Sequence, residues 1–300
     1  MGHEFKLAVI GLDTSHAVEL PRLINDRKMA PGLRVTHCLS FATPFQNAAG
    51  LLARKAELNG FGVTVTENYA EAVANCDGVM LEINDASLHL AYFERCAALG
   101  KPMFLDKPFA DTLDHAKAID RIAQRREIRY FTASPLRFDA DLVRALCVEP
   151  LTVDSATVWG PFGKAAAGSS LIWYGCHALE MLERIMGGGA LSVTVGADRR
   201  GYVGHVRYAD GRRGIVELTD DGGRYGGVLR EWLGRERLFQ VSGVIPYYQM
   251  LVREIAAFFL NGAQPVTRED AFEVMALLEA FDRAAQSGRT EMVDRSWENA

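Results

Sequence analysis

The sequence predicts a two-part α/β chain. Residues 1–134 read as a doubly wound parallel sheet, and residues 135–300 as an α+β domain with an open antiparallel sheet packed on helices. Three observations predict this. Up to Ala133, short apolar runs alternate with amphipathic helical stretches, as the crossover units of a parallel sheet require. Beyond Ser134–Pro135 the pattern changes to shorter alternating runs with turn signals, as antiparallel strands show. The length of 300 residues is ample for two cores.

Phe5–Ile10 is a buried strand and Val35–Ser40 a second. Ala48–Asn59 is helical, Val63–Thr66 a short strand, and Tyr69–Ala74 a turn or two of helix. Gly78–Ile83 is again a strand, and Ala86–Leu99 a helix stopped by Gly100. Pro102–Asp106, the helix Leu113–Arg126 and the strand Tyr130–Ala133 complete the first half. Pro21 predicts trouble for a helix starting at Ser15, because proline removes a hydrogen bond in the second turn. Such a helix either starts late, near Leu20, or kinks.

In the second half Thr152–Trp159 is a strand, and Ser169–Met186 a helix followed by Gly187–Gly189. In HVRYADGRRGIVEL, Asp210–Gly211 predicts a hairpin with a tight two-residue turn. Asp221–Gly222–Gly223 predicts another turn. Residues 245–260 and 269–286 are helical, the latter with Phe272, Met275, Leu278, Phe281 and Ala285 on one apolar face.

Composition narrows the function classes. Apolar residues make up 49% and charged residues 24%, as in an ordinary globular protein. A net charge of −5 with no basic stripe argues against nucleic-acid or phospholipid partners. No run reaches the length of a membrane span, and MGHEFKLAVIG lacks a signal-peptide pattern. The 5 cysteines form no CxxC pair, which predicts reduced thiols and a cytoplasmic location.

Ligands of such sheets sit outside the carboxyl ends of the strands. That singles out Gly11–His16, Ser40–Thr43, Asn84–His89 and Asp106–Pro108. Lys107 follows a buried strand, where its ammonium can donate to a substrate hydroxyl or an amide. Asp106 can orient it or accept from a ribose. His177 is a candidate general base, since imidazole titrates near neutral pH. Glu180 lies one helical turn further on and is placed to orient the ring. The guanidinium of Arg137 suits a carboxylate or hydroxyls, or an interdomain ion pair.

The segment HLAYFERCAALGKPMFLDKPFADTLDHAKAI (89–119) resembles the glucose–fructose oxidoreductase / inositol dehydrogenase / MocA (Gfo/Idh/MocA) family of NAD(P)-dependent oxidoreductases. The matching features are His89 opening a helix, Gly100–Lys101 before a strand, and Asp106–Lys107–Pro108 where the family has Glu-Lys-Pro. Gly175-x-His177 and the closing turn Gln286–Thr290 agree in order and spacing. The resemblance implies a Rossmann-like first domain holding NAD or NADP, and a second domain for substrate binding and homo-oligomer formation through its sheet. It implies hydride transfer between nicotinamide and a sugar, polyol or related small hydroxy compound. Lys107, His177 and Asp106 then carry the chemistry. Gly11, Asp13, Thr14, Ser15, His16, Ser40, Asn84, Asp106 and Lys107 contact the cofactor. Arg137, Trp173, Tyr174 and Glu180 contact the substrate. No metal ligand set is assigned.

Four features depart from that family. VIGLDTSHA has Gly11 but Asp13 and His16 where a second glycine and a small residue belong. A carboxylate ~4 Å from a phosphate costs on the order of 4 kcal/mol at an effective dielectric near 20, roughly a thousandfold in affinity, part of which a protonated His16 offsets. The second strand ends Leu39–Ser40–Phe41–Ala42–Thr43, without a ribose-binding acid. Trp173 stands where the family often has an aspartate, leaving Tyr174 or Glu180 to partner His177. Pro21 weakens the first helix. Two other classes therefore stay open. One is a family-derived enzyme without dinucleotide, using Asp13, His16, His89, Asp106 and His177 for metal- or acid/base-assisted hydrolysis, isomerisation or elimination. The other is a non-catalytic sensor or assembly protein that keeps the fold and binds a small ligand. Separately, Asp13–His16 can simply cap and turn the loop.

Overall fold

The computed structural model describes residues 4–147, 152–220, 223–232 and 234–299. The chain forms two compact units. The first holds Met1–Ala110, Asp114–Ala133 and Tyr248–Thr267; the second holds Asp111–Leu113, Ser134–Tyr247 and Arg268–Ala300. A single cut at 134/135 does not contain this arrangement, because a late stretch of chain packs with the first unit.

The first unit's elements run β1 (Phe5–Ile10), α1 (His16–Pro21), β2 (Leu33–Leu39), α2 (Ala48–Gly60), β3 (Thr64–Thr66), α3 (Tyr69–Val73), β4 (Gly78–Leu81), α4 (His89–Ala97), β5 (Met103–Asp106), α5 (Leu113–Arg125) and β6 (Tyr130–Ala133). Among the described residues the sheet has the order β3-β2-β1-β4-β5-β6, with every pairing parallel. Strands β4 and β5 are buried throughout, which is why they read as unbroken apolar runs. The strand order reverses between β1 and β4, the place where such sheets open a ligand crevice.

Pro21 does not delay its helix. The helix starts at His16 with Ser15 as its N-cap residue, and after Pro21 the backbone widens into a π-type turn over Arg22–Asp26, with the Arg27 amide donating to the Arg22 carbonyl at 2.9 Å. The missing proline N–H is thereby absorbed within a continuous rod. The helix expected over Ala86–Leu99 opens with a 3₁₀ turn, Ala86–Leu88, capped by Asp85, before α4 begins.

The second unit continues with α6 (Ala140–Leu146), β7 (Val153–Pro161), α7 (Cys176–Met186), β8 (Ala190–Asp198), β9 (Gly201–Tyr208), β10 (Arg213–Thr219), β11 (Gly226–Glu231) and β12 (Glu236–Gln240). Then come α8 (Tyr247–Asn261), which lies in the first unit from Tyr248 onward, α9 (Arg268–Ser287) and β13 (Glu291–Met292). Among the described residues the open sheet runs β12-β11-β7-β10-β9-β8-β13 and is mixed, since β7 and β10 pair in parallel. Helices α7 and α9 pack on it, with Phe272, Met275, Leu278 and Phe281 buried. Ala284, rather than Ala285, completes that stripe.

The β9–β10 hairpin is not the expected two-residue turn. The Gly211 amide donates to the Tyr208 carbonyl, and the Tyr208 amide donates to the Arg212 carbonyl, so Ala209–Gly211 form a three-residue loop. Only Gly211 takes a positive φ, +91°, while Asp210 does not. The turn expected at Asp221–Gly222 lies outside the described residues.

Candidate active site

Gly11 leaves β1 with φ +105°, and a Cβ there would stand 2.3 Å from the Glu82 carbonyl. Only glycine allows this loop to pass so close to the end of β4. Asp13 is 1% exposed. Its carboxylate accepts from the Thr43 hydroxyl at 2.7 Å and from the Asn84 amide at 2.9 Å, while the Asn84 side chain donates to the Asp13 carbonyl at 3.0 Å. One side chain therefore links the loops that follow β1, β2 and β4. Burial raises the Asp13 pKa, against the lowering effect of the Asn84 and Thr43 hydrogen bonds. Thr14 is buried and its hydroxyl accepts from the His16 amide at 3.2 Å, whereas Ser15 is exposed. Ser40 is half-buried beside a stacked pair, Phe41 and Tyr92, with ring centroids 4.6 Å apart.

His16 crosses to the end of β5. Its Nδ1 lies 2.8 Å from Asp106 Oδ1, which also accepts from the Lys107 amide at 2.8 Å. The His16 and Tyr248 rings form a T-shaped pair with centroids 4.9 Å apart. Burial alone would raise Asp106, but His16 and Lys107 bring its carboxyl below the usual range. Glu82, directly after β4, has no exposed surface, and neither of its carboxylate oxygens has a hydrogen-bond partner. Burial first, and the negative charge of Asp106 second, push its carboxyl well above the ordinary value, with Lys107 opposing. Lys107 itself is 4% exposed. His89 is fully buried between the carbonyls of Ile83 and Phe109 at 2.8 and 3.1 Å, and it ties the β4 exit to the segment after Pro108.

In the second unit His177 Nδ1 pairs with the Ser134 hydroxyl at 2.7 Å. Glu180 accepts from the Ser134 backbone amide at 2.7 Å, so in these contacts it fixes the residue that meets the ring. The Tyr174 ring stands edge-on to His177 at 5.3 Å, and Trp173 packs on Tyr174 at 5.1 Å; both aromatics are half-buried. Arg137 is 2% exposed and is held by Glu183 and by Asp270, the latter at 3.1 Å. This ion pair lies within the second unit, and its guanidinium is turned inward.

The architecture defines a class: a doubly wound, dinucleotide-binding-type unit joined to an α+β unit with an open mixed sheet. Residues 5–134 match the Gfo/Idh/MocA family, described as an oxidoreductase family with an NAD-binding Rossmann fold. No curated protein matches the sequence. Among solved structures it is similar to GenD2 from gentamicin A biosynthesis in complex with NAD, with TM-score 0.81 and 17% identity over 98% of this chain and 97% of that one. It is similar to myo-inositol dehydrogenase from Lactobacillus casei in complex with NAD(H) and myo-inositol, with TM-score 0.79 and 14% identity over 97% of each chain. An Agrobacterium radiobacter oxidoreductase in complex with NAD+, L-tartaric acid and magnesium gives TM-score 0.75 and 18% identity over 97% of this chain and 98% of that one. At these identities the likeness is one of fold.

The turn is compatible with a dinucleotide. The required glycine at position 11 is present, and the Asp13 carboxylate, expected to repel a pyrophosphate, points into the protein. The second strand ends without an acid for the ribose, and the Thr43 hydroxyl in the loop after it donates to Asp13. Sequence reasoning missed Glu82, Ser134 and Tyr248. An acid inside GVMLEI was the available signal for Glu82; Ser134 and Tyr248 matter only through residues distant in the chain.

Proposed function

We propose that this protein is an NAD(P)-dependent oxidoreductase acting on a CH–OH carbon of a sugar, polyol or related small hydroxy compound. The observation that supports it most is the inward turn of Asp13, which removes the charge conflict at the dinucleotide loop. Gly11, Thr14, Ser15, His16, Ser40 and Asn84 border the proposed cofactor position, with Asp13 holding their loops together. The dinucleotide, when bound, accepts or supplies the hydride.

Lys107 holds the substrate oxygen through its ammonium, and Asp106 Oδ1 fixes the Lys107 backbone amide. His177 takes the hydroxyl proton, its ring oriented by Ser134. Trp173 and Tyr174 shape the substrate side, and Glu180 acts through Ser134. Arg137 holds its own unit together and is not given a substrate. The second-unit sheet is proposed as a homo-oligomer surface, in keeping with exposed Leu191, Val203 and Leu238 on β8, β9 and β12. The five free cysteines suit a reducing cytoplasm.

Titration with NADH and NADPH, followed by fluorescence, tests the reading: one of them is expected to bind at micromolar to low-millimolar levels, and no binding of either at millimolar concentration sinks it. Lys107→Ala and His177→Ala are each expected to lower kcat by about 10²–10⁴-fold while leaving dinucleotide affinity within a few-fold.

A further inference from the structure

Three strand exits of the first unit bring an imidazole and two carboxylates together in its interior. His16 follows β1, Glu82 follows β4, and Asp106 ends β5; these three strands are neighbours in the sheet. One ligand-type atom from each residue lies within 4.8 Å of the others. His16 is 5% exposed, and Glu82 and Asp106 have no exposed surface. Both oxygens of Glu82 and the Oδ2 of Asp106 have no hydrogen-bond partner. Buried polar atoms are almost always satisfied, and each orphan calls for a missing partner. Three orphan carboxylate oxygens in one buried cluster call for a cation. Lys107 acts on both carboxylates but brings one positive charge against two negative ones.

We propose that His16, Glu82 and Asp106 form a site for one divalent first-row transition cation of the Zn²⁺ or Mn²⁺ type. The donor set argues for this class. One nitrogen and two carboxylates suit Zn²⁺, Mn²⁺ or Fe²⁺, whereas Ca²⁺ and Mg²⁺ prefer all-oxygen shells and Cu⁺ prefers sulfur. The geometry agrees. With bonds of ~2.1 Å, neighbouring ligand atoms of an octahedral site stand ~3.0 Å apart; His16 Nδ1 already reaches the Asp106 carboxylate, and its hydrogen bond to Oδ1 at 2.8 Å gives way to the metal bond. The 4.8 Å limit exceeds the ~4.2 Å span of opposite ligands at such bond lengths, so a shift of under ~1 Å by a flexible carboxylate brings the farthest pair within that span. Asp106 offers its unpartnered Oδ2 and keeps Oδ1 on the Lys107 amide. Given its burial, the cation is structural, pinning the exits of β1, β4 and β5.

This site does not depend on the dinucleotide reading, and its test reads metal directly. The full-length protein is purified without chelator or an affinity-tag metal, and its metal content is measured by plasma mass spectrometry. The stripped protein is then titrated with Zn²⁺ and with Mn²⁺ by calorimetry and thermal melting. The expected result is about one equivalent of tightly held cation and a higher melting temperature on reloading. Glu82→Gln and His16→Gln are expected to weaken binding by more than about a hundredfold, with the far-UV circular dichroism unchanged. Should either variant fail to fold, the visible spectrum of the Co²⁺-loaded wild type reports whether one nitrogen and carboxylate oxygens ligate the ion. The proposal is overturned if the wild type binds neither ion more tightly than about 100 μM, or if Glu82→Gln binds as well as the wild type. A higher melting temperature for metal-free Glu82→Gln than for the wild type, with no metal bound to either, would identify Glu82 as a neutral buried acid instead.

Discussion

Asp13 turns a loop that sequence alone presents as a damaged anion site into a three-way junction. Its carboxylate is met by Thr43 and by Asn84, far away in the chain. Asp13→Ala leaves a buried amide and a hydroxyl without an acceptor and is expected to cost about 2–4 kcal/mol, read by chemical denaturation. Asp13→Asn keeps one acceptor oxygen and is expected to cost less than the alanine variant; an alanine variant as stable as the wild type would show that the carboxylate's double acceptance is not what stabilises the junction. The residue scale also divides what could be read beforehand. Lys107, Asp106 and His177 were legible because each sits in a short local pattern tied to a strand end or a helix. The direction of Asp13 was not, because its partners arrive from two other loops. Glu82 was hidden for the opposite reason: a single acid in GVMLEI looks like the end of a strand, and its isolation shows only once β5 is placed beside it.

At the scale of elements, the second unit holds its helices by two devices. One is close approach: a Cβ on Gly204 of β9 would come within 2.1 Å of the Phe281 ring on α9. Gly204→Ala is therefore expected to destabilise by about 1–3 kcal/mol through overpacking, visible as a lower melting temperature. The other is the Arg137 cluster, which ties the turn after Ser134 to α7 and α9. Burial would lower the Arg137 pKa, but Glu183, Glu180 and Asp270 together raise it. With three acids around one guanidinium, burial prevails at Glu183, whose carboxyl is pushed up to about 7 despite Arg137. Between the unfolded value of about 4.5 and 7 the folded chain then keeps a proton that the unfolded chain has lost. Stability from this group is complete below that window and declines as pH rises through it, by at most about 1.4 kcal/mol per pH unit. Guanidinium unfolding at pH 5, 6, 7 and 8 is expected to show a shallower decline for Glu183→Gln than for the wild type; parallel curves would refute the assignment. Element existence was legible throughout from periodicity. The π turn after Pro21 and the three-residue hairpin at Gly211 were not, since each depends on which of two near-equal hydrogen-bond patterns the surroundings favour.

For the whole molecule, the first unit is assembled from distant parts of the chain. Helix α8 sets Phe258 against Phe131 at 4.9 Å and Phe259 against Phe5 at 5.6 Å. Phe259 also fills the space over Gly78, where a Cβ would meet its ring at 2.6 Å. No local pattern near residue 250 announces this, because an apolar helical face does not say which sheet it covers. A fragment of residues 1–134 is thus expected to lack a cooperative thermal transition and a native near-UV spectrum. The same fragment with residues 246–268 joined by a flexible linker is expected to regain both, and a cooperative melt of the short fragment alone would contradict that.

The late arrival of α8 also matters while the chain is being made. After Ala133 leaves the ribosome, synthesis must run on to Thr267, on the order of ten seconds at bacterial-to-eukaryotic elongation rates of about 5–20 residues per second. Throughout that interval the nascent sheet waits with Phe5, Gly78 and Phe131 uncovered, a surface suited to chaperone capture. Slow codons placed in that interval would lengthen the exposure, whereas moving the α8 segment ahead of β1 by circular permutation would abolish it.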